Sequence, residues 1–225
     1  MLLMKRTWRN WIYSAWDLLW ITIDMFCSTR LSLLSLWFQG ARYGKGFHTT
    51  GKCSFKLRRK GSIVLGERVS LLAGWRSNRA GLTNPVLLET LEEGIIRFGD
   101  DSGGSAIMIS SRSGVTIGKH VCLGANVRIY DHDFHPLDSG KRRLSRNEQA
   151  AHVRSEPVTI GDDVFVGANA IILKGVILGE RSIVAAGSVV FRGNYPADCI
   201  IAGNPAEVVG RKGEGNEPQK STKDA

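Results

Sequence analysis

The chain has 225 residues, enough for one domain of ordinary size with a small appendage. Its formal charge of +9 predicts a surface that attracts anions, without distinguishing phosphates, nucleic acid or acidic lipid headgroups. The four cysteines are scattered and form no CxxC pair, which argues against a zinc ribbon and a disulfide framework and favours a reducing cytoplasm. They are Cys27, Cys53, Cys122 and Cys199.

Residues 1–45 are predicted to form an amphipathic helical segment that contains five of the six tryptophans. Charged side chains interrupt its apolar runs, so it does not meet our criteria for a membrane span or a cleavable signal. Two interpretations of the apolar stripe stay open. The helix packs on its own domain or on a neighbouring subunit, or it rests on a membrane surface, where Trp and basic residues are favoured. The stripe has helical spacing and consists of Trp8, Trp11, Ile12, Trp16, Leu19, Trp20 and Ile23.

A six-residue period governs the C-terminal half of the chain. Aliphatic residues stand at every sixth position from Ile160 to Val190, and glycine or alanine follows most of them. The same spacing occurs earlier at Ile117, Leu123 and Ile129. A helix would place apolar residues three or four apart and a simple strand would alternate, so this period predicts one short strand and one corner per repeat.

The period is interrupted between Tyr130 and Pro157. This segment holds the sequence DHDFHPLD and a long polar run, which cannot place an apolar residue at every sixth position. We therefore predict that residues 130–157 leave the repeat as a loop, and loops of this length are usually functional. Upstream, the period drifts, and the region from about Lys52 to Leu91 fits either irregular coils or a small antiparallel cap. Residues 213–225 are predicted to be disordered.

This repeat resembles that of the hexapeptide-repeat acyltransferases over approximately Ile96 to Lys212. The resemblance implies an all-β main domain over residues 46–212, folded as a left-handed parallel β-helix. In such coils an aliphatic side chain from each strand fills a narrow prism and a small residue occupies the bend. Three stretches extend the resemblance beyond the repeat, namely IGKHVCLGANVRIYDHDFHPLD, VFVGANAIILKGVILGERSIVAAGSVV and IIAGNPAEVVGRK.

The first stretch is similar to the point where sugar O-acetyltransferases of this family carry their catalytic histidine. Their pattern of Asp, any residue, Asp, Phe, His and Pro places His135 at that position, and His132 is the competitor because other branches carry the histidine slightly earlier. The resemblance implies direct transfer from acetyl-CoA, with a neutral imidazole as the base. We expect Asp133 or a backbone carbonyl to hold the second ring nitrogen, and a backbone N–H to stabilise the oxyanion.

A histidine-rich loop on this scaffold is also found in γ-class carbonic anhydrases, which bind zinc through three histidines across a subunit interface. Here His132 and His135 would supply two ligands, with His120 or His152 as the third. The spacing differs from the usual one in that family, and the GNPA ending is not expected there. We therefore expect no metal.

The other two stretches are expected to bind coenzyme A. In the family, the pantetheine arm lies between neighbouring prisms at small corner residues, and Ala168 and Ala186 occupy the matching positions, although any β-helix needs small corner residues. Arg192, Arg211 and Lys212 are placed to meet the nucleotide phosphates through charge-assisted hydrogen bonds.

These features favour an acetyl-CoA-dependent O-acetyltransferase that modifies a sugar of a surface polysaccharide or lipopolysaccharide. An amino-sugar N-acetyltransferase, a zinc enzyme and a non-catalytic binding module are the alternatives. The resemblance implies a homotrimer, because in the family the active site lies between adjacent prisms. We expect a cytoplasmic location, at the inner face of the membrane if the N-terminal helix binds lipid. A nucleic-acid partner is not expected, because no aromatic-and-basic motif is present.

Overall fold

The computed structural model describes residues 8–74, 78 and 80–211. One long helix, α1 (Trp8–Phe38), precedes three sheets, which we label A, B and C. The chain visits the three sheets in turn, so each strand from β1 to β17 pairs in parallel with the strand three positions later, and each passage makes one triangular coil. This is the left-handed parallel β-helix that the six-residue period predicted, and the prediction is confirmed.

The strands are short, as the spacing of the corners requires. Sheet A contains β1 (Arg42–Tyr43), β4 (Ile63–Leu65), β7 (Ile96–Phe98), β10 (Val115–Ile117), β13 (Val158–Ile160), β16 (Val176–Leu178) and β19 (Gly193–Tyr195). Sheet B contains β2 (His48–Thr50), β5 (Ser70–Leu72), β8 (Gly103–Ser105), β11 (Cys122–Leu123), β14 (Phe165–Val166), β17 (Ile183–Val184), β20 (Cys199–Gly203) and the antiparallel β21 (Ala206–Arg211). Sheet C contains β3 (Cys53–Lys56), β6 (Val86–Thr90), β9 (Met108–Ser111), β12 (Arg128–Tyr130), β15 (Ile171–Leu173) and β18 (Val189–Val190).

Aliphatic side chains from successive coils form a continuous column inside the prism. The six repeat positions are at most 1% exposed, and full burial of each contributes about 1.5–3 kcal/mol. Close stacking of the coils explains the small residues at the bends. A Cβ on Gly167 would lie 2.5 Å from the backbone nitrogen of Ala186, so a larger residue would push the two coils apart. The six positions are Ile160, Val166, Ile172, Leu178, Val184 and Val190.

The upstream region forms further coils of the same β-helix. Strand β3 pairs in parallel with β6, and β4 pairs in parallel with β7, so of the two alternatives for Lys52–Leu91 the coils are correct and the antiparallel cap is wrong. The period drifts there because a longer connection, between Leu72 and Val86, is inserted at the corner between sheets B and C.

Helix α1 covers the open end of the first coil. Strands β1, β2 and β3 have a neighbour on one side only, and polar side chains of α1 meet the unpaired edge. Thr29 Oγ1 accepts a hydrogen bond from Thr49 N–H at 2.9 Å, and Asp24 Oδ2 accepts one from Gly51 N–H at 3.0 Å. Gln39 Nε2 donates to Phe55 O at 2.8 Å, and Gln39 Oε1 accepts from Leu57 N–H at 3.0 Å. The helix therefore caps the solenoid through a polar seam that lies beside Leu36, which is fully buried in the core.

The apolar stripe predicted on α1 is not the face that covers the domain. Trp16, Leu19, Trp20 and Ile23 are 41–54% exposed, so the expectation that this stripe packs on its own domain is wrong. The side chains of residues 8–12 lie outside the described part of the structure. The expectation that this segment is too interrupted by charge to span a membrane is also corrected, because the helix over Tyr13–Phe38 is long and apolar enough to cross one by length and composition alone.

Candidate active site

The loop of residues 131–157 leaves the β-helix at the corner between sheets C and A. It contains a 3-10 turn (Lys141–Arg143) and a short helix, α2 (Arg146–Ala150). Its two limbs meet at the base in an antiparallel bridge between His132 and Ser155. The loop is therefore a closed structure with a defined stem. Two backbone hydrogen bonds flank the bridge, from Asp133 N–H to Arg154 O at 2.9 Å and from Glu156 N–H to Asp131 O at 2.8 Å.

Asp131 anchors the start of the loop to the preceding coil. Its side chain is fully buried and accepts five hydrogen bonds. Burial by itself would raise the pKa of this carboxyl, but the hydrogen bonds from His132, Arg112, Ser111 and Ser113 outweigh burial and hold the pKa below its ordinary value. The carboxylate therefore stays ionised and fixes the stem. The donors are Arg112 N–H (2.7 Å), His132 Nδ1 (3.0 Å), Ser111 Oγ (2.8 Å), Ser113 N–H (2.8 Å) and Gly114 N–H (2.6 Å).

His132 is buried in the stem. The residue is 5% exposed, its Nδ1 faces Asp131 Oδ1, and its ring centroid lies 4.8 Å from that of Phe134. Because an ionised carboxylate only accepts, Nδ1 carries the proton. The Nε2 atom is buried and has no hydrogen-bond partner among the residues that the structure describes. In this subunit a substrate cannot reach His132 unless the loop moves.

His135 lies on the exposed part of the loop. Its Nδ1 is 3.3 Å from Oε1 of Gln149. The amide nitrogen of Gln149 donates to Arg142 O at 3.0 Å and to Leu144 O at 2.8 Å, so the amide oxygen is the atom that faces the ring. An amide oxygen requires a donor, which places the proton of neutral His135 on Nδ1 and leaves Nε2 as the basic nitrogen. The geometry is that of an imidazole prepared to accept a proton.

Gln149 is the residue that sequence reasoning missed. It lies on α2, which begins with a capping box in which Glu148 Oε2 accepts hydrogen bonds from the backbone and the hydroxyl of Ser145 at 3.0 and 2.7 Å. The Ser145-to-Glu148 spacing is visible in the sequence and predicts the start of a helix. The contact between His135 and Gln149, fourteen residues apart, has no such signal.

Asp133 pairs with a lysine and not with a histidine ring. Lys174 Nζ lies 2.5 Å from Asp133 Oδ1, and the expectation that Asp133 or a backbone carbonyl holds the second ring nitrogen of His135 is corrected, since Gln149 makes that contact. Lys174 stands at the corner between sheets C and A, one coil beyond the loop. One coil further, Arg192 pairs with Glu156 at 3.0 Å. Each limb of the stem is thus tied to a different coil.

The residues predicted to bind coenzyme A lie on different corners of the prism. Ala168 and Ala186 share the corner between sheets B and C, and their two bends are joined by a hydrogen bond from Gly187 N–H to Ala168 O at 2.8 Å. Arg192 is at the corner between C and A, and Arg211 ends β21 opposite Cys199, near the corner between A and B. Within one subunit, Ala168 and Ala186 therefore lie together, and Arg192 and Arg211 lie at other corners of the prism. Lys212 and the tail 213–225 lie outside the described residues.

The histidines considered for zinc are also separated. His120 lies at the corner between sheets A and B, whereas His132 and His135 belong to the loop at the corner between C and A. Among the described residues of the single chain, no three His, Cys, Asp or Glu side chains form a group that could hold a metal ion.

Comparison with known proteins places the chain in a family. The family model described as hexapeptide repeat of succinyl-transferase matches residues 157–192. The Escherichia coli K12 protein described as putative lipopolysaccharide biosynthesis O-acetyl transferase WbbJ is 31% identical over 156 residues, which cover 68% of this chain and 74% of that protein. The yeast putative acetyltransferase YJL218W is 42% identical over 103 residues, covering 46% of this chain and 48% of the yeast protein, so the match spans about half of that relative.

A solved structure agrees in fold. The hexapeptide-repeat-containing acetyltransferase VCA0836 from Vibrio cholerae, crystallised with acetyl coenzyme A, aligns with a TM-score of 0.52 and 23% identity over 81% of this chain and 77% of that one. The fold and the histidine-bearing loop define a hexapeptide-repeat protein. The chain belongs to the hexapeptide-repeat acyltransferase family, as the sequence resemblance predicted.

Proposed function

We propose that this protein transfers an acetyl group from acetyl-CoA to a hydroxyl group of a sugar, with His135 as the general base. The observation that carries the proposal is the contact between His135 Nδ1 and Gln149 Oε1, which leaves the basic Nε2 on an exposed ring. The family supplies acyl transfer as the reaction class. The E. coli relative, described as an O-acetyl transferase of lipopolysaccharide biosynthesis, supports a saccharide hydroxyl as the acceptor.

The reaction proceeds without a covalent enzyme intermediate. Nε2 of His135 takes the proton of the sugar hydroxyl while the hydroxyl oxygen forms a bond to the thioester carbonyl carbon. Collapse of the tetrahedral intermediate breaks the C–S bond, and the proton passes from the imidazolium to the departing thiolate. The products are an acetyl ester and free coenzyme A. A positioned base of this kind contributes about 10²- to 10⁴-fold to the rate.

The coenzyme is proposed to bind in a groove between two subunits of a homotrimer. Ala168 and Ala186 would line the groove at one corner of a prism, and basic residues from another corner, such as Arg192, would come from the neighbouring prism. Freeing Arg192 for a phosphate requires breaking its pair with Glu156. The two side chains are 75% and 37% exposed, and exposed pairs contribute only about 0–1 kcal/mol.

The pathway assignment follows the E. coli relative. A saccharide bound for a surface polysaccharide or lipopolysaccharide, acetylated on the cytoplasmic side of the membrane, is the acceptor that best fits that description. The nearest alternative is an amino-sugar N-acetyltransferase. The two functions differ in their products, because acetylation of a hydroxyl group gives an ester and acetylation of an amino group gives an amide.

The test is product analysis with acetyl-CoA and a panel of neutral and amino sugars. We expect acetylated products that fragment as esters and are cleaved by mild hydroxylamine. Amide products resistant to hydroxylamine would instead identify an amino-sugar N-acetyltransferase. Absence of any acetylated product, together with CO₂ hydration that is lost on dialysis against a chelator and returns with Zn²⁺, would contradict both and support the zinc enzyme.

A further inference from the structure

Helix α1 turns a largely polar side toward the protein. In its second half Leu36 is fully buried in the core and Leu33 packs against it, but the other covered side chains are polar. They are Asp24, Ser28, Thr29, Ser32 and Ser35, with Gln39 directly after the helix. These polar side chains bond to one another and to the first coil. Within the helix, for example, the Ser28 hydroxyl donates to Asp24 Oδ1 at 2.8 Å. In a soluble helical cap the apolar side would face the core.

The edge of the first coil explains why α1 turns a largely polar side toward the protein. This edge presents unpaired backbone N–H and C=O groups, which must be satisfied by polar partners when they are covered. The Thr49 peptide illustrates the point, because its N–H and its C=O both bond to Thr29 Oγ1, at 2.9 and 3.2 Å. Rotating α1 to bury its apolar side would break these bonds. The exposed apolar side is therefore fixed by the fold.

That outward side is almost free of charge. Among the described side chains of α1, Arg30 is the one exposed charged residue, and its guanidinium lies 4.9 Å from the centre of the Phe26 ring. Trp37 and Phe38 are 65% and 71% exposed at the end of the helix. Contiguous apolar surface of this kind marks an interaction site. The exposed large apolar residues are Tyr13, Trp16, Leu18, Leu19, Trp20, Ile23, Met25, Phe26, Leu31, Leu34, Trp37 and Phe38.

Exposed cations stand beside the same helix. Lys52 follows Gly51, whose N–H bonds to Asp24, and Arg58 follows Leu57, whose N–H bonds to Gln39. Lys60 packs against Gly40, where an added Cβ would lie 2.8 Å from Lys60 Cγ. We call the outward side chains of α1, together with Arg30, Lys52, Arg58 and Lys60, the basal face.

We infer that the basal face binds the surface of an anionic lipid bilayer, with α1 lying in the interface between headgroups and acyl chains. Its tryptophans and phenylalanines suit that depth, and each Lys or Arg close to an anionic surface adds electrostatic attraction. A second copy of the chain would cover the apolar side chains. In a symmetric pair, however, it would bring the cations of two basal faces together, and their repulsion favours the anionic partner.

The capping contacts decide between lying in the membrane and crossing it. Residues from Asp24 to Gln39 are held by the first coil, so they cannot enter the hydrocarbon core as part of a span. The segment of α1 that is apolar enough to cross a membrane, Tyr13–Phe38, includes most of these held residues, so it cannot cross the bilayer while it caps the coil. The helix therefore lies along the surface. This inference does not depend on the proposed acetyltransferase activity.

Vesicle flotation of the full chain tests the inference. We expect the wild type to float with phosphatidylcholine vesicles that contain phosphatidylglycerol and to bind pure phosphatidylcholine more weakly. Leu31→Gln with Leu34→Gln should weaken binding about tenfold or more, because two exposed leucines lose their transfer into lipid. The matched control is Val208→Gln with Val209→Gln, which changes two similarly exposed aliphatic residues on β21 and should float like the wild type.

Two further measurements keep the result interpretable. Lys52→Gln with Lys60→Gln leaves the apolar side intact and should reduce flotation with the anionic vesicles only. Alkaline carbonate should release the bound wild type, as expected for a helix in the interface. Absence of flotation with either vesicle, equal flotation of the Leu31/Leu34 variant and the wild type, or retention after carbonate would overturn the inference. A Leu31/Leu34 variant that loses an oligomer without losing flotation would also overturn it, by identifying a subunit interface.

Discussion

Nδ1 of His135 lies 3.3 Å from Oε1 of Gln149, and both hydrogens of the Gln149 amide are used by backbone carbonyls. The orientation of one amide therefore fixes the tautomer of the ring. A base on an exposed loop would otherwise sample both tautomers and many rotamers. The short helix α2, which carries Gln149, therefore holds the exposed imidazole in one tautomer.

Replacing Gln149 tests this role. Gln149→Ala should lower kcat about tenfold, the value of one hydrogen bond of about 1–1.5 kcal/mol, with no change in the KM for acetyl-CoA. Gln149→Glu should recover activity and move the acidic limb of the pH–rate profile to higher pH, because a carboxylate stabilises the protonated imidazole. Asn147→Ala, on the same helix, is the matched control and should leave both parameters unchanged. A Gln149→Ala profile identical to the wild type would remove Gln149 from the site.

Asp131 is predicted to be the main determinant of loop stability. Asp131→Asn replaces one of the two accepting oxygens by an amide nitrogen, which only donates and would face groups that also donate. We expect a loss of about 3 kcal/mol in the free energy of unfolding. Urea titration at neutral pH measures it. A loss below about 0.5 kcal/mol, the size of an ordinary surface substitution, would contradict the anchoring role.

The pKa of Asp131 gives this stabilisation a pH dependence. Because the folded-state pKa is lowered, the contribution is fully present above the ordinary value near 4 and is lost as the pH falls through the lowered value. The difference in stability between wild type and Asp131→Asn should therefore be constant around neutrality and shrink below about pH 4. A difference that grew on acidification would have the wrong sign.

Removing the cation from each of the two ion pairs of the stem, Lys174–Asp133 and Arg192–Glu156, should have different effects on stability and on the KM for acetyl-CoA. Lys174→Met leaves Asp133, whose side chain is 21% exposed, without its cation, so we expect lower stability and faster amide exchange over residues 131–135. Arg192→Met breaks a largely exposed pair and should leave stability nearly unchanged while it raises the KM for acetyl-CoA. Denaturation and steady-state kinetics on both variants separate the two roles. Equal effects of the variants on KM would contradict this division.

The β-helix was predictable because its constraint is local. Each strand needs one aliphatic residue turned inward, as Ile160 and Val166 show, and each bend needs a small residue, so both requirements recur at a fixed spacing. Coils upstream of Ile96 were harder to recognise because the long connection before Val86 breaks that spacing.

The buried side of α1 and the partner of His135 could not be predicted in the same way. Asp24, Thr29 and Ser32 of α1 bond to the first coil, whose edge presents unpaired backbone groups. That edge is distant in sequence, since Thr29 bonds to Thr49. In the loop, DHDFHPLD indicated the chemistry but not the burial of each histidine. Asp131 and Asp133 look alike in sequence, yet one binds the preceding coil and the other binds Lys174.

The central claim is that His135, and not His132, is the base. The most direct measurement compares kcat for acetyl transfer in His135→Ala and His132→Ala, each checked for its fold by circular dichroism. We predict that His135→Ala loses about 10²- to 10⁴-fold in kcat with an unchanged KM for acetyl-CoA. His132→Ala should mainly lose stability, since its ring is buried against Asp131. Full activity in folded His135→Ala, with activity abolished in folded His132→Ala, would contradict the account.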